Sequence, residues 1–207
     1  MYTIALLPNK ATQKRIVSFT KEYKNEFCGQ MLDMKINQPH VTLLKTAFKP
    51  ETDLKELLNI LVSEYKKTSP SGFLQGLQVN PRRALISHLS NDDNIVAMHN
   101  LLLPHVKPLV DKANIKNKKF VGDTVEEVES YFKYGYRYTG DKFYSHLSLG
   151  RLNDEEIPYD LEKAFEDNFL GELISFDRIA ICRGIKNTLG HVVASKKLHP
   201  KGMLFIS

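Results

Sequence analysis

The chain has 207 residues, of which 42% are hydrophobic and 26% are charged, and this composition is ordinary for a folded protein with a sizeable core. The net charge of +5 favours an anionic partner, although a lysine-rich protein without such a partner would carry the same charge. The longest apolar runs are too short to cross a bilayer, and the N-terminus lacks the features of a signal peptide. We therefore expect a cytoplasmic protein without a membrane span.

Hydrophobic periodicity predicts strands and helices that alternate along one domain, residues 1–207. Period-two and short apolar runs predict strands at residues 4–7, 39–44, 73–79, 83–89, 143–150, 173–182 and 191–198. Apolar residues at helical spacing predict helices at residues 11–27, from a cap at 52 or 53 to about 69, from about 91 to 102 or beyond Pro104, and at 158–169. The second half resembles the first in element order without a close sequence repeat, so any duplication would be at the level of architecture only.

Residues 114–140 differ from the rest of the chain in composition. They are first rich in lysine and then rich in tyrosine, with Tyr134, Tyr136 and Tyr138 alternating along the sequence. We predict an irregular excursion here. If it contains a strand, these three rings share one face, where they either pack or stack on a nucleobase.

Two histidine tripeptides carry the strongest functional signal. His40 and Thr42 alternate in an apolar context typical of a strand, which places both side chains on one face. His146 and Ser148 repeat that arrangement in the second half. Two such strands facing across a cleft would create a four-residue site.

These residue types suit the cleavage or opening of a phosphodiester. One imidazole can activate the nucleophile and the other can protonate the leaving oxygen, because the ordinary pKa of histidine, about 6.5, is close to neutrality. Thr42 and Ser148 can donate hydrogen bonds to the nonbridging phosphate oxygens, where negative charge concentrates in the transition state. Such a site requires no metal or other cofactor.

The segments His40-Val41-Thr42-Leu43 and His146-Leu147-Ser148-Leu149-Gly150-Arg151 resemble the motifs of the two-histidine (2H) phosphoesterases, which include 2′-5′ RNA ligase-like proteins and 2′,3′-cyclic phosphodiesterases. The resemblance implies an α+β, bilobal fold. Its two lobes would be related by a pseudo-twofold axis, each with an antiparallel sheet, outer helices and one tripeptide beside a central cleft. It also implies metal-free hydrolysis of a nucleotide or RNA phosphodiester, and we expect the protein to act as a monomer.

A chance origin of these motifs has to be weighed, because a chain with seven histidines contains about one His-x-Ser/Thr tripeptide at random. A third copy begins at His88, and the Asn-Asp-Asp sequence that follows its serine, Ser90, is typical of a helix cap. We interpret this copy as structural. We interpret His40 and His146 as catalytic, against the alternative that they are ordinary hydrogen-bonded strand histidines.

Two basic residues follow the motifs at equal spacing. Arg151 could neutralise a substrate phosphate, and a solvated or salt-bridged surface position is the alternative. Lys45 has the corresponding place after the first motif, and we interpret it as a surface residue. The histidines at positions 99, 105 and 199 are likewise predicted to lie at the surface.

Other residues near the motifs are candidates for the walls of a cleft. Phe143 and Tyr144 directly precede the second motif and could line it, with core packing as the alternative. Tyr136 could stack on a base. Arg183 and His191 end and begin the last two predicted strands, and either could reach the rim of the cleft.

Three functions remain compatible with the sequence. The leading one is hydrolysis of 2′-5′ linkages or 2′,3′-cyclic phosphates in RNA ends or small nucleotides. A second is trimming of RNA 3′ ends or cleavage of a cyclic oligonucleotide, for which lysines at 116–119 could hold further phosphates. The third is a noncatalytic module that binds RNA or nucleotides.

Overall fold

The computed structural model describes residues 1–28, 31–65, 69–80, 83–115, 124–185 and 188–198. The strands in these residues are β1 (Tyr2–Pro8), β2 (His40–Thr46), β3 (Ser71–Val79), β4 (Ala84–Ser90), β5 (His146–Arg151), β6 (Leu173–Arg183) and β7 (His191–Lys197). The helices are α1 (Lys10–Glu22), α2 (Leu54–Glu64), α3 (Asp93–Val106), α4 (Val125–Tyr134) and α5 (Tyr159–Phe169). The predicted α+β class is confirmed. Within the described ranges, no helix has both the length and the apolar content that a membrane crossing requires.

The strands form one antiparallel sheet that closes on itself. Their order is β1-β2-β5-β4-β3-β6, and β1 also pairs with β6, so these six strands form a closed ring that β7 extends beyond β6. The two halves of the chain meet where β2 pairs with β5 and where β3 pairs with β6. The strands are therefore joined in one sheet, whereas the resemblance implies a sheet for each lobe.

A β-bulge interrupts the pairing of β2 with β1. The register skips Leu43, the extra residue between the paired positions Thr42 and Leu44. In an uninterrupted strand, side chains alternate between faces and Leu44 would share the face of His40 and Thr42. The extra residue shifts this alternation by one position, so Lys45 takes that place.

The same bulge occurs at the corresponding place in the second half. Between β4 and β5 the register skips Leu149, which lies between the paired positions Ser148 and Gly150. Arg151 therefore returns to the face that carries His146 and Ser148. The pairing of β1 with β2 is thus reproduced by β4 with β5, including the position of the irregularity.

The helices and the site lie on opposite faces of this sheet. One face packs against the helices in the main core, which includes the strand residues Ile4, Leu6, Val41, Leu147 and Ile179 and the helix residues Ile16, Leu57, Ile95 and Leu161. The opposite face has a small apolar cluster on β1, β6 and the loop before β7, composed of Ala5, Leu7, Ala180, Cys182 and Leu189. The polar side chains of β2 and β5 share this second face, and they border a cavity.

Helix α4 corrects the prediction of an irregular excursion. Thr124 caps it in a capping box with Glu127, and Gly135 ends it with a φ of +77°. The predicted shared face of three tyrosines is wrong, because Tyr134 is the last helical residue while Tyr136 and Tyr138 follow the terminating glycine. Positions 116–119 lie outside the described residues.

The other element boundaries differ by a few residues. Helix α1 ends at Glu22 instead of residue 27, and Asp53, which accepts hydrogen bonds from two backbone amides of the first turn, caps α2. Helix α3 continues through Pro104 to Val106. Strand β5 begins at His146, three residues later than predicted.

Gly150, the glycine of the second bulge, allows a direct test of this geometry. Its φ is +142°, and an added Cβ would lie 2.7 Å from Cδ1 of Phe27. We expect Gly150→Ala to lower the free energy of unfolding by about 1–3 kcal/mol, because the new methyl group forces both the backbone and the ring to move. Urea denaturation would measure the change. Gly76→Ala is the matched control, since nothing lies within 4 Å of its added Cβ, and an equal loss for both variants would contradict this explanation.

Candidate active site

A cavity of about 270 Å³ lies on the inner face of the closed sheet. Both histidine tripeptides and the basic residue that follows each of them border it: His40, Thr42, Lys45, His146, Ser148 and Arg151. Three residues of β1 and β4 add to the wall, namely Thr3, Ala84 and Ile86. Gly150 of β5 also borders it, and the remaining lining comes from the connections between elements: Leu32, Asn37, Asn80, Tyr136, Thr188 and Leu189.

The register of β2 against β5 brings the two tripeptides together. His40 lies opposite Ser148, and Val41 lies opposite Leu147. His146 is therefore diagonal to His40 on the same face, a relation in which Cα atoms are about 7–8 Å apart. Both imidazoles therefore border the same cavity.

Both imidazoles are held in the same way. His40 Nδ1 is 2.7 Å from the carbonyl oxygen of Gln38, and His146 Nδ1 is 3.4 Å from that of Tyr144. In each case the carbonyl belongs to the residue two positions earlier. Because a carbonyl can only accept, Nδ1 donates in both rings and the lone pair of the neutral ring lies on Nε2. Each ring therefore offers Nε2 as a base.

Burial lowers the pKa of both rings. The pKa of His40 falls to about 4, chiefly through desolvation, with smaller contributions in the same direction from Lys45 and His146. The pKa of His146 also falls to about 4 through desolvation, and His88 and Lys45 lower it further. Both rings are thus neutral at pH 7 in the unbound protein. An anion between them would raise both pKa values and favour the protonated form of one ring.

These low pKa values predict a loss of stability in mild acid. His40, His99 and His146 each have a folded-state pKa of about 4, against an ordinary value of 6.5. As the pH falls below 6.5 the unfolded chain takes up protons that the folded protein does not bind, so the free energy of unfolding decreases. We expect a loss of at least about 2 kcal/mol between pH 6.5 and pH 5, measured by urea denaturation. An unchanged free energy over that interval would contradict the buried neutral state of these rings.

Lys45 is exposed to solvent, as the surface interpretation predicts, and its side chain also borders the cavity. Arg151 has the corresponding position on β5. The two cations place positive charge on either side of the histidines. Such an arrangement attracts a phosphate, and it disfavours protonation of the rings until an anion is bound.

His88 is closer to the site than its structural interpretation suggests. It is the register partner of His146, with the two ring centroids 6.4 Å apart. The ring of Tyr144 contacts both, at 5.3 Å from His88 and 5.1 Å from His146. The serine of this tripeptide has the expected structural role, because Ser90 accepts a hydrogen bond from Gln75.

The aromatic candidates lie in different places. Tyr136 borders the main cavity, whereas Tyr144 is 38% exposed and borders a second, adjoining cavity. Phe143 lines neither, and its predicted place in the groove is wrong. Its ring stacks on His99 at a centroid distance of 3.9 Å and packs against the main core.

His99 is fully buried, so its prediction as a surface residue is wrong. Its Nδ1 donates to the carbonyl oxygen of Leu43, and its Nε2 accepts from the amide of Gly140. Burial lowers its pKa to about 4. This neutral ring connects the first bulge to the segment before β5, and so supports both tripeptides from the core side. His105 is half-buried beside Glu64, and position 199 lies outside the described residues.

Arg183 and His191 are opposite one another at the end of the β6–β7 hairpin where the loop connects the two strands. Both side chains are exposed, and neither borders the main cavity. Their predicted place at the cleft rim is therefore wrong. The hairpin contributes Thr188 and Leu189 instead, from the connection between the two strands. Among the described residues, no three histidine, cysteine or acidic side chains are grouped closely enough to hold a metal ion.

Comparison with known proteins supports the fold alone. No family model matches the sequence, and no curated protein matches it. The structure is similar to the crystal structure of TT0787 of Thermus thermophilus, with a TM-score of 0.58 over 97% of this chain and 99% of that chain. The two sequences are 15% identical. This likeness extends over nearly the whole length of both proteins, so the architecture is not peculiar to this chain.

Proposed function

We propose that the protein is a metal-independent phosphodiesterase of the 2H phosphoesterase type that hydrolyses 2′-5′ linkages or 2′,3′-cyclic phosphates of RNA ends or small nucleotides. The observation that carries the proposal is the presence of two equivalent sets of residues around one cavity. Each set has an imidazole with Nε2 available, a hydroxyl two positions later and a cation three positions beyond that. An isolated strand histidine does not account for this duplication.

The duplicated pairing also supports the bilobal fold that the proposal requires. The register of β1 with β2 matches that of β4 with β5, and Val41 faces Leu147 where the two halves meet. An approximate twofold axis through this pair exchanges His40 with His146. In this description α4 and β7 are additions to the duplicated core, and the two lobes share a continuous sheet.

In the proposed reaction the phosphate binds between the two imidazoles. One neutral ring takes a proton from water through Nε2 as the water oxygen attacks phosphorus in line, and the other ring, protonated once the anion is bound, donates its proton to the departing ribose oxygen. The P–O bond to that oxygen breaks as the bond to water forms. Thr42 and Ser148 donate to the nonbridging oxygens, and Lys45 and Arg151 balance their charge. Proton exchange with water then restores the rings.

The test is turnover by the purified protein in the presence of EDTA. We expect hydrolysis of a 2′,3′-cyclic nucleotide, a 2′-5′ oligoadenylate or both, with activity lost in the His40→Ala/His146→Ala double variant. Turnover of neither substrate, or turnover that persists in the double variant, would overturn the proposal. Binding of nucleotide without product, with affinity unchanged in His40→Ala, would instead identify a noncatalytic binding module.

The second candidate function, trimming of RNA 3′ ends or cleavage of cyclic oligonucleotides, would use the same residues. It differs from hydrolysis of small nucleotides in its salt dependence, because contacts to additional backbone phosphates release additional counterions. A steep dependence on ionic strength for oligomers, absent for mononucleotides, would favour the longer substrate.

A further inference from the structure

The end of β4 lies against the second histidine tripeptide and the residue before it. His88 is the register partner of His146, and the two ring centroids are 6.4 Å apart. The amide of the next residue, Leu89, donates a hydrogen bond to the carbonyl oxygen of Ser145 at 3.2 Å. The third tripeptide of the sequence therefore borders the segment that carries His146.

Asp92 connects the turn after β4 to the same segment. Asn91, in the left-handed region with a φ of +52°, leads the chain from β4 to Asp92, the N-cap residue of α3. The side chain of Asp92 makes no capping hydrogen bond. Its carboxylate instead accepts a hydrogen bond from the hydroxyl of Ser145, which is 2% exposed. A hydrogen bond to a carboxylate is stronger than one between neutral groups, and here it is largely shielded from water.

These bonds restrict the peptide group that holds His146. The carbonyl oxygen of Tyr144, which accepts from Nδ1 of His146, belongs to the peptide between Tyr144 and Ser145. Ser145 is tied to the β4 side twice, through its own carbonyl to Leu89 and through its hydroxyl to Asp92. The direction of the Tyr144 carbonyl in turn decides which ring nitrogen carries the proton.

The first tripeptide has a different constraint at the equivalent place. Nδ1 of His40 is 2.7 Å from the carbonyl oxygen of Gln38, and the residue between them is the buried Pro39. The pyrrolidine ring of a proline fixes its φ, so this peptide is restricted without a side-chain hydrogen bond. Ser145 has the corresponding position before His146 and lacks such a ring.

We propose that Asp92 and Ser145 are positioning residues for His146, whose mutual hydrogen bond holds the Tyr144 carbonyl as the acceptor for Nδ1 and leaves Nε2 to the cavity. The inference rests on the proposed function and deepens it, because it adds two residues that do not border the main cavity to the groups on which the reaction depends. Their bond supplies at His146 the constraint that a proline supplies at His40.

The tautomer of His146 tests this proposal without a substrate. In protein labelled at the histidine nitrogens, chemical shifts at pH 8 distinguish a ring protonated on Nδ1 from one protonated on Nε2, and His146→Ala identifies the signals. We expect the Nδ1-protonated form in the unmodified protein. Asp92→Ala and Ser145→Ala should each give a mixture of tautomers at His146 and leave His40 unchanged. Combining them should add little, because both remove the same bond.

Matched variants separate this effect from a general loss of stability. Asp93→Ala removes the neighbouring exposed carboxylate from the same helix turn, and Thr20→Val removes a buried hydroxyl that donates within α1. Both should leave the tautomer of His146 unchanged. Asp92→Asn keeps an oxygen that can accept from Ser145 and should also retain it.

A single Nδ1-protonated tautomer in Asp92→Ala or in Ser145→Ala, or the same mixture in the two controls, would overturn the proposal. Asp92 is half-buried and its side chain does not cap the helix, so Asp92→Ala decides the question if Ser145→Ala does not fold.

Kinetics relate the same bond to the proposed reaction. Asp92→Ala should lower kcat for 2′,3′-cyclic AMP by about 10- to 100-fold with KM nearly unchanged, because it misplaces a ring and keeps the phosphate contacts. If the tautomer depends on Asp92 but no substrate is turned over, the positioning stands and the proposed hydrolysis falls. If turnover requires both histidines but neither the tautomer nor kcat responds to Asp92→Ala, the hydrolysis stands and the positioning falls.

Discussion

Replacing His40 or His146 with alanine is expected to lower kcat/KM for a 2′,3′-cyclic nucleotide by about 10²- to 10⁴-fold, because each ring transfers one proton in the transition state. The double variant should lose little more than either single variant, since the two rings act as one unit. Initial rates in EDTA would measure both effects. A loss of less than about 10-fold for either ring would contradict its role in proton transfer.

His191→Ala is the matched control for these variants. His191 is an exposed strand residue that does not border the main cavity, so its loss should leave the rate unchanged. Thermal unfolding at pH 8, where His40 and His146 are neutral, separates a chemical effect of His40→Ala from a cavity left by a buried ring.

The pH dependence of the reaction tests the protonation states of the same two rings. We expect a bell-shaped profile for kcat, because the bound state needs one neutral and one protonated ring. The acidic limb should disappear in the variant that lacks the base, and the alkaline limb in the variant that lacks the acid. Since both unbound rings have a pKa of about 4, the alkaline limb of kcat/KM should lie at lower pH than that of kcat.

Removal of the two hydroxyls should have the next largest effect. Thr42→Val keeps the branched shape of the strand residue but deletes the donor, and Ser148→Ala deletes its counterpart. We expect each to lower kcat by about 10²- to 10³-fold with little change in KM, because the hydroxyls stabilise charge that concentrates in the transition state. Single-turnover and steady-state kinetics would measure this.

Variants that retain a hydroxyl provide the control for that experiment. Thr42→Ser and Ser148→Thr should keep most of the activity. Because the two residues occupy equivalent positions in the repeated register, the losses in Thr42→Val and Ser148→Ala should be similar. A large loss in one and none in the other would mean that the two halves do not share the charge of the phosphate.

Local sequence patterns predicted most of the strands, and they predicted that the histidine and the hydroxyl residue of each tripeptide share one strand face. His40 and Thr42 lie on one face because a strand alternates its side chains, and this period is readable without tertiary information. The similar element order of the two halves also allowed for a duplication of architecture. The closure of the sheet was not predictable in this way, because it depends on the pairing of β1 with β6, whose residues are far apart in sequence.

The role of Lys45 was missed because strict alternation assigns it to the wrong face. A bulge at Leu43 shifts the pattern, and the equal spacing of His146 to Arg151 was the sequence signal that could have revealed it. His88 was missed for a different reason. Its tripeptide ends at a strand boundary, as expected, but its register opposite His146 is a property of the sheet and not of the local sequence.

Tertiary contacts also explain the remaining errors. The composition of residues 114–140 predicted an irregular excursion, but the capping box at Thr124 and the left-handed Gly135 enclose a helix, and Tyr131 and Tyr134 bury its apolar side. His99 lies in a helix whose local sequence is partly polar. Its burial becomes evident only when the carbonyl of Leu43 and the ring of Phe143 are brought to it.

A crystal structure with orthovanadate bound is the most direct test of the central claim that His40 and His146 act on one phosphorus centre. We expect one vanadate in the main cavity, with Nε2 of both rings within hydrogen-bond distance of its oxygens, about 2.7–3.2 Å, and with Thr42 and Ser148 donating to the remaining oxygens. Vanadate bound to only one of the two rings, or bound elsewhere while this cavity stays empty, would contradict the claim.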